Sequence, residues 1–152
     1  MATLNFRRKH WRTQKGAELI EFALVMPLLL LLVLGIVDFG FLFQRFEVVT
    51  NAAREGARLA VLPGYSTSDV QTRVNDYLEQ GGVPVSAGNP VISLSTVPIP
   101  IAGGQTIKGK QVQVRYFHNY LFLGNVLGWF GGSFSSVPLT GVSTMRIEAT
   151  GS

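Results

Sequence analysis

The chain has 152 residues, enough for one small domain, with 47% apolar and only 14% charged side chains. Five of its thirteen Lys and Arg residues precede Gly16 and all nine Asp and Glu residues follow it, so the net charge of +4 describes a short basic N-terminal segment. This distribution excludes a basic nucleic-acid-binding surface in the folded part. The absence of cysteine excludes a disulfide framework and a thiolate metal site.

A long apolar run follows the basic segment. Residues 22–37 contain no charged side chain, and five more apolar or glycine residues follow Asp38, up to Phe43. As a helix, residues 22–43 would be roughly 33 Å long, close to the 30 Å hydrocarbon core of a bilayer. The run predicts one membrane crossing at about 22–43, and it fits the buried helix of a soluble protein less well.

The residues around the run predict its orientation. Cations without anions precede it, which by the positive-inside rule places the N-terminus in the cytoplasm and the later chain outside. A cleavable secretory signal is the alternative, with an apolar core of about 7–15 residues before a small-residue cleavage site. Here the run is longer, and the first such site, near Ala52-Ala53, lies far downstream. We therefore expect an anchored chain.

Glu21 needs an explanation, because a carboxylate inside a membrane span costs a few kcal/mol. A cut between Gly16 and Ala17 would create an α-amine at position 17, one helical turn from Glu21 on the same face. Glu21 would then neutralise either its own amine or that of a neighbouring subunit, and the spacing allows both. An interfacial glutamate without a partner is the third interpretation.

Three quoted segments resemble a known family. Gly16–Phe22, GAELIEF, resembles the processing motif of tight-adherence (Flp-type) pilins, while PLLLLLVLGIVDFGFLF and NAAREGAR resemble TadE-like pseudopilins. The resemblance covers about residues 12–62, and beyond it only the order of elements and the closing GVSTMRIEA are similar.

The resemblance implies a bacterial inner-membrane protein that a prepilin peptidase cleaves after Gly16, with Gly16, Ala17, Glu21 and Phe22 as processing residues. Glu21 would also act in assembly. The implied partners are the peptidase, other pilin-like subunits, the tight-adherence membrane machinery and membrane lipid, and no nucleic acid. The mature protein would be a minor pilin or an assembly factor of the pilus.

A stripe of small residues continues the helix beyond the span. Ala52, Gly56 and Ala60 recur every four residues, a pattern that lets another helix approach closely. We interpret them as assembly residues that contact a partner helix, or as residues that pack on the protein's own head, or as both. The expected domains are a leader at 1–16, a long helix at 17–62 ended by Pro63-Gly64, and a head at 63–152.

The head is expected to have an α+β fold, with one helix on a short antiparallel sheet. A helix-start signal at Ser66–Asp69 precedes helically spaced Val70, Val74, Tyr77 and Leu78, and Gly81-Gly82 is the stop signal. Alternation and turn residues then predict strands at 91–97, 111–117 and 141–150. Two sets of apolar positions are expected, with an irregularity at Ser143-Thr144: Val112, Val114 and Tyr116 on the second strand, and Val142, Met145 and Ile147 on the third.

Between the last two strands, residues 119–139 are rich in aromatic residues but contain too many glycines for a second crossing. Three roles stay open for this segment: contact with the membrane–water boundary, contact with a partner, or completion of the head's core. The aromatic residues concerned are Tyr120, Phe122, Trp129, Phe130 and Phe134.

The sequence contains no convincing active site. His118 has no second His or Cys nearby with which to form a metal site, and Gly103-Gly104 and Gly131-Gly132 are turn residues that open no phosphate-binding helix. We expect a non-enzymatic protein without a cofactor. Two other functions stay open: an unprocessed single-pass anchor carrying a small extracytoplasmic partner-binding domain, or a subunit of another envelope secretion complex.

Overall fold

The computed structural model describes residues 12–129, 131 and 136–147, with side chains left out at 12–15, 127 and 129. The elements run helix, helix, strand, strand, helix, strand: α1 Arg12–Ala60, α2 Thr67–Gln80, β1 Val91–Pro100, β2 Thr106–His118, α3 Leu123–Trp129 and β3 Val137–Arg146. This order confirms the α+β prediction. The chain divides between Val37 and Asp38 into two compact units, so α1 contributes to both.

The described part of the first unit is the apolar half of α1. Every residue from Gly16 to Val33 is exposed, including large side chains such as Leu24 and Leu28. Pro27 lies inside the helix, which continues past it. Within the described residues, the helix over 16–60 is the one segment long and apolar enough to cross a membrane. Its length and composition fit a membrane-anchored protein, as the sequence predicted.

In the second unit, α1 carries a buried stripe. Val49, Ala52, Ala53, Gly56 and Ala57 are buried and recur at intervals of one, three or four residues, which places them on one side of the helix. The helix ends at Ala60, near the predicted end, and begins at Arg12, before the predicted start at Ala17.

Helix α2 forms where the sequence predicted it. Ser66 is its N-cap: the Ser66 hydroxyl accepts from the backbone N–H of Asp69, and the Asp69 carboxylate accepts from the backbone N–H of Ser66. This reciprocal capping box satisfies two N–H groups that the first helical turn leaves free. Three apolar side chains of α2 are buried, Val70, Val74 and Leu78.

The three strands form an antiparallel sheet in the order β1-β2-β3. On β2, the side chains of Val112, Val114 and Tyr116 are buried on one face, as predicted. They join the buried residues of α1 and α2, together with Val83 and Leu139, in a single core. The first two strands are longer than predicted, because pairing continues to Pro100 and begins at Thr106.

The prediction for the third strand was wrong at Val142 and correct at Met145, which packs against the core. β3 pairs with β2 without interruption from Val137 to Arg146, so the irregularity expected at Ser143-Thr144 is absent from it. Val142 points outward and is 49% exposed, whereas Gly141 is buried. A Cβ at Gly141 would lie 2.7 Å from the carbonyl oxygen of Val49, so the backbone of α1 takes the space of a side chain there. Because a glycine occupies this inner position, the apolar pattern indicated the neighbouring Val142 instead.

Candidate functional site

The predicted processing residues lie on the bare half of α1. Gly16, Ala17, Glu21 and Phe22 are all exposed. Apart from the local helix backbone and chain neighbours, nothing lies within 4 Å of the position that a Cβ at Gly16 would take. Ala17 and Glu21 are four residues apart in the helix and therefore share one face. The Gly16–Ala17 bond is thus free of steric cover from the described chain.

The small-residue stripe contacts the protein's own head. Ala52 and Gly56 are buried, and Ala60 is half-buried against the core. A Cβ at Gly56 would lie 2.6 Å from Cγ2 of Val74 on α2 and 3.2 Å from Cγ1 of Val112 on β2. Of the interpretations of the stripe, the structure shows the intramolecular one, in which small residues let α2 and the sheet approach α1.

Asp38 connects α1 to the segment that precedes α3. The Asp38 side chain is only 1% exposed, and its two carboxylate oxygens accept four hydrogen bonds from three consecutive backbone N–H groups. Leu121 donates to Oδ1 at 3.0 Å, Phe122 donates to both oxygens at 3.2 and 3.0 Å, and Leu123 donates to Oδ2 at 2.7 Å. These bonds satisfy N–H groups that a helix start leaves free, and they compensate the burial of the carboxylate.

Sequence reasoning missed this role of Asp38, which it treated as an interruption of the apolar run. The available signal was the lone acid itself. An ionisable side chain within a predicted span needs a partner, and Asp38 has one in a segment more than eighty residues away. The partner is a set of backbone groups, so no residue type in the sequence identifies it.

His118 forms a second buried contact close by. Arg45 Nη1 donates to His118 Nδ1 at 2.7 Å, which places the histidine proton on Nε2, an atom without a hydrogen-bond partner among the described residues. Burial lowers the pKa of His118, the positive charge of Arg45 lowers it further, and the charge of Asp38 opposes them. The ring meets Tyr120 edge to face, with centroids 5.7 Å apart.

The surroundings of His118 are therefore those of a structural residue. Within the described residues, no group of three or more His, Cys, Asp or Glu side chains is placed to hold a metal ion.

An ion pair network links α1 with α2 on the surface. The Glu55 carboxylate accepts from Arg58 at 2.9 Å and from Arg73 at 3.1 Å. The Arg58 hydrogen bond lowers the pKa of Glu55, slight burial opposes this, and the Arg73 hydrogen bond adds to the lowering. Because Arg58 is largely exposed, we expect the network to contribute little to the free energy of unfolding.

The aromatic segment contains the short helix α3. Leu121 is exposed, whereas Tyr120 and Phe122 are half-buried. The side chain of Trp129 and the whole of Phe130 and Phe134 lie outside the described residues. The roles predicted for those three aromatic residues therefore stay predictions.

Comparison with known proteins supports the resemblance found in the sequence. Residues 16–58 match the family described as TadE-like protein, a stretch that covers most of α1 and none of the sheet. No curated protein and no solved structure matches the chain significantly. This family is structural rather than enzymatic, and it suggests a component associated with a tight-adherence pilus, with other pilins or the pilus machinery as partners. Residues 16–58 of α1 are therefore similar to the TadE-like family, in the stretch where the GAELIEF and NAAREGAR segments predicted the resemblance.

Proposed function

We propose that this protein is a pilin-like structural or assembly component of a tight-adherence pilus and that a prepilin peptidase cleaves it after Gly16. The observation that carries the proposal is the bare apolar helix within the TadE-like match. Its side chains from Gly16 to Val33 have no cover from the described chain, so lipid or neighbouring subunits must cover them.

The proposed topology follows from charge. Five cations without an acidic residue precede Gly16, which favours a cytoplasmic leader, a single crossing of the inner membrane and an extracytoplasmic head. Cleavage would then take place at the cytoplasmic face. The proposed partners are the prepilin peptidase, other pilin-like subunits, the tight-adherence machinery and membrane lipid.

The cleavage assignment is tested with a matched pair of glycine variants. Gly16 and Gly35 both lie on the apolar half of α1, and apart from the local helix backbone and chain neighbours a Cβ at either position would meet no atom within 4 Å. We expect Gly16→Leu to leave the full-length chain in the membrane, because the peptidase must accommodate residue 16, and Gly35→Leu to be processed normally. The measurement is the intact mass of each protein from cells that contain the peptidase. Normal processing of Gly16→Leu would contradict the assignment.

The proposed role of Glu21 separates cleavage from assembly. After the cut, the carboxylate of Glu21 would neutralise the α-amine of Ala17 in the same or a neighbouring subunit, which favours packing of the helix in an apolar assembly. We expect Glu21→Ala to be cleaved but to give few pili, and Glu18→Ala, which exchanges the other exposed glutamate of the motif, to have a smaller effect. Pili counted by electron microscopy provide the readout, and wild-type numbers for Glu21→Ala would remove this role.

If the protein is instead an unprocessed membrane anchor, the opposite result is expected for the leader. In that case Gly16 and Glu21 have no special function, both variants behave as the wild type, and the basic segment stays attached. The small-residue stripe does not distinguish the two functions, because Ala52 and Gly56 are already buried against the head.

A further inference from the structure

A ridge of phenylalanines lies on α1 just after Asp38. Phe39, Phe43 and Phe46 follow one another at four and three residues, which places them on one face of the helix. Their side chains are between 45% and 65% exposed. The core-facing residues Asp38 and Leu42 lie on the neighbouring face, so the head leaves this ridge uncovered.

The head contributes a second uncharged surface before and along α3. Residues 119–129 include no charged side chain, and Leu121 is 57% exposed next to the hydrogen bonds that join it to Asp38. Those bonds attach Leu121 to the helical turn that carries Phe39. The phenylalanine ridge and Leu121 therefore belong to the same unit, and Leu121 lies near the turn of α1 at which the ridge begins.

Both charged side chains within residues 38–46 are turned inward. Asp38 is 1% exposed, and Arg45 is half-buried and donates to His118. Exposed charge begins at Glu47 and continues with Arg54 on the following turns. Charged side chains can remain exposed on a helix surface that faces water. On a surface that faces lipid, an exposed charge costs a few kcal/mol.

The backbone N–H groups before α3 also have partners within the protein. A helix start normally exposes N–H groups to water, and backbone facing lipid must satisfy them within the protein. The carboxylate of Asp38 accepts from the N–H groups of Leu121, Phe122 and Leu123. The N–H groups of these three residues are therefore satisfied without water.

We propose that Phe39, Phe43, Phe46 and Leu121 form a lipid-facing surface that seats the head in the water–lipid boundary of the outer leaflet. Phe39 and Phe43 lie at the end of the predicted crossing at 22–43, and Phe46 and Leu121 extend its lipid-facing surface into the head, so lipid is the occupant. Exposed Gln44 and Asn125 place it at the boundary rather than in the hydrocarbon centre. Interfacial helices lie about 5–10 Å into this region. Asp38 is the positioning residue of the surface. The inference depends on the membrane anchoring proposed above, and not on cleavage or on a pilus.

The chain contains no cysteine, so single cysteines can be labelled without further changes. The full-length chain would carry a fluorescent label at one position, in vesicles of phosphatidylethanolamine and phosphatidylglycerol. Leu121→Cys and Phe46→Cys report on the part of the surface beyond the predicted crossing. Leu29→Cys reports on the crossing, and exposed Thr72→Cys on α2 is the water-facing control. Each label is quenched either by aqueous iodide or by nitroxide-bearing lipid.

We expect the labels at positions 121 and 46 to lose iodide quenching and to be quenched by nitroxide lipid, with the reverse at position 72. Iodide quenching at 121 and 46 equal to that at 72 would overturn the inference. Protection from both quenchers would also overturn it, because a second copy or another protein would then cover the surface. Quenching of the label at position 29 by nitroxide lipid shows that the crossing is intact, so failure of anchoring is distinguishable from failure of the inference.

Discussion

The two halves of helix α1 differ in what covers them. From Gly16 to Val33 every residue is exposed, although the run consists mainly of large apolar side chains. From Val49 to Ala57 the helix has a buried stripe of mainly small residues, and polar side chains such as Arg54 lie on the other faces. Large residues without internal partners indicate a surface made for lipid or other subunits, and small residues in contact with a sheet indicate close intramolecular packing.

The surroundings of the glycines also differ between the two halves of α1. In the bare half, Gly35 has free space around it, whereas in the packed half Gly56 lies against side chains of α2 and β2. The same residue type is therefore replaceable in one half and required in the other. Substitutions at matched positions measure this difference directly.

The largest expected effect comes from Gly56→Leu compared with Gly35→Leu. At Gly56 the first added carbon already lies 2.6 Å from Val74 Cγ2, so the head must shift or separate from α1. We expect a loss of about 3 kcal/mol in the free energy of unfolding of the head, at the upper end of overpacking costs. Gly35→Leu should cause no loss, because it adds no contact and leucine is a better helix former than glycine.

Near-ultraviolet circular dichroism during thermal unfolding in detergent measures both variants. Equal unfolding temperatures for Gly56→Leu and Gly35→Leu would contradict the close packing described for the second half of α1.

Asp38→Ala tests the hydrogen bonds that join α1 to the segment before α3. The substitution leaves three backbone N–H groups of a part-buried contact without their acceptor, which we expect to cost about 2 kcal/mol in the free energy of unfolding. Exposed Asp76→Ala on α2 is the control and should stay within about 0.5 kcal/mol of the wild type. Hydrogen exchange should speed up at Leu121–Leu123 in Asp38→Ala alone, and unchanged protection there would contradict the capping role.

The smallest expected effect is a pH dependence confined to the packed half. The pKa of His118 is lowered below 6.5 in the folded head, so the unfolded chain binds a proton first as the pH falls. The stability of the head should therefore decrease as the pH falls through about 6.5 and level off below the folded pKa. His118→Gln, which keeps an acceptor for Arg45, should remove this decrease.

Thermal unfolding between neutral pH and pH 5 measures the His118 effect. The carboxylates of Glu55 and Asp69 have lowered pKa values and therefore act only in a more acidic range. A decrease of equal size in His118→Gln would show that another group is responsible.

The features that the sequence predicted are those carried by local patterns. The capping signal at Ser66 and the apolar spacing of α2 are interactions between near neighbours, and both are confirmed. The long apolar helix and the similarity to the TadE-like family were also predicted correctly. Both are properties of one continuous segment of sequence. Alternation on β2 also predicted its buried face correctly.

The features that the sequence did not predict depend on contacts between distant segments. Val142 of β3 was misassigned because the backbone of α1 at Val49 requires glycine at the inner position 141, which leaves Val142 as the apparent apolar position. The roles of Asp38 and His118 could not be predicted, because their partners come from other elements. Asp38 accepts from backbone N–H groups, and His118 accepts from Arg45. The small-residue stripe predicted close packing, but its spacing contains no information about which surface packs there.

The most direct test of the proposed function is the intact mass, with N-terminal sequencing, of the protein extracted from its native membrane. A chain that begins at Ala17 is the predicted result, since Gly16 is the expected last residue of the leader. A chain that retains Arg7 to Lys15 would contradict pilin-type maturation and would favour an unprocessed anchor that holds the head at the membrane surface.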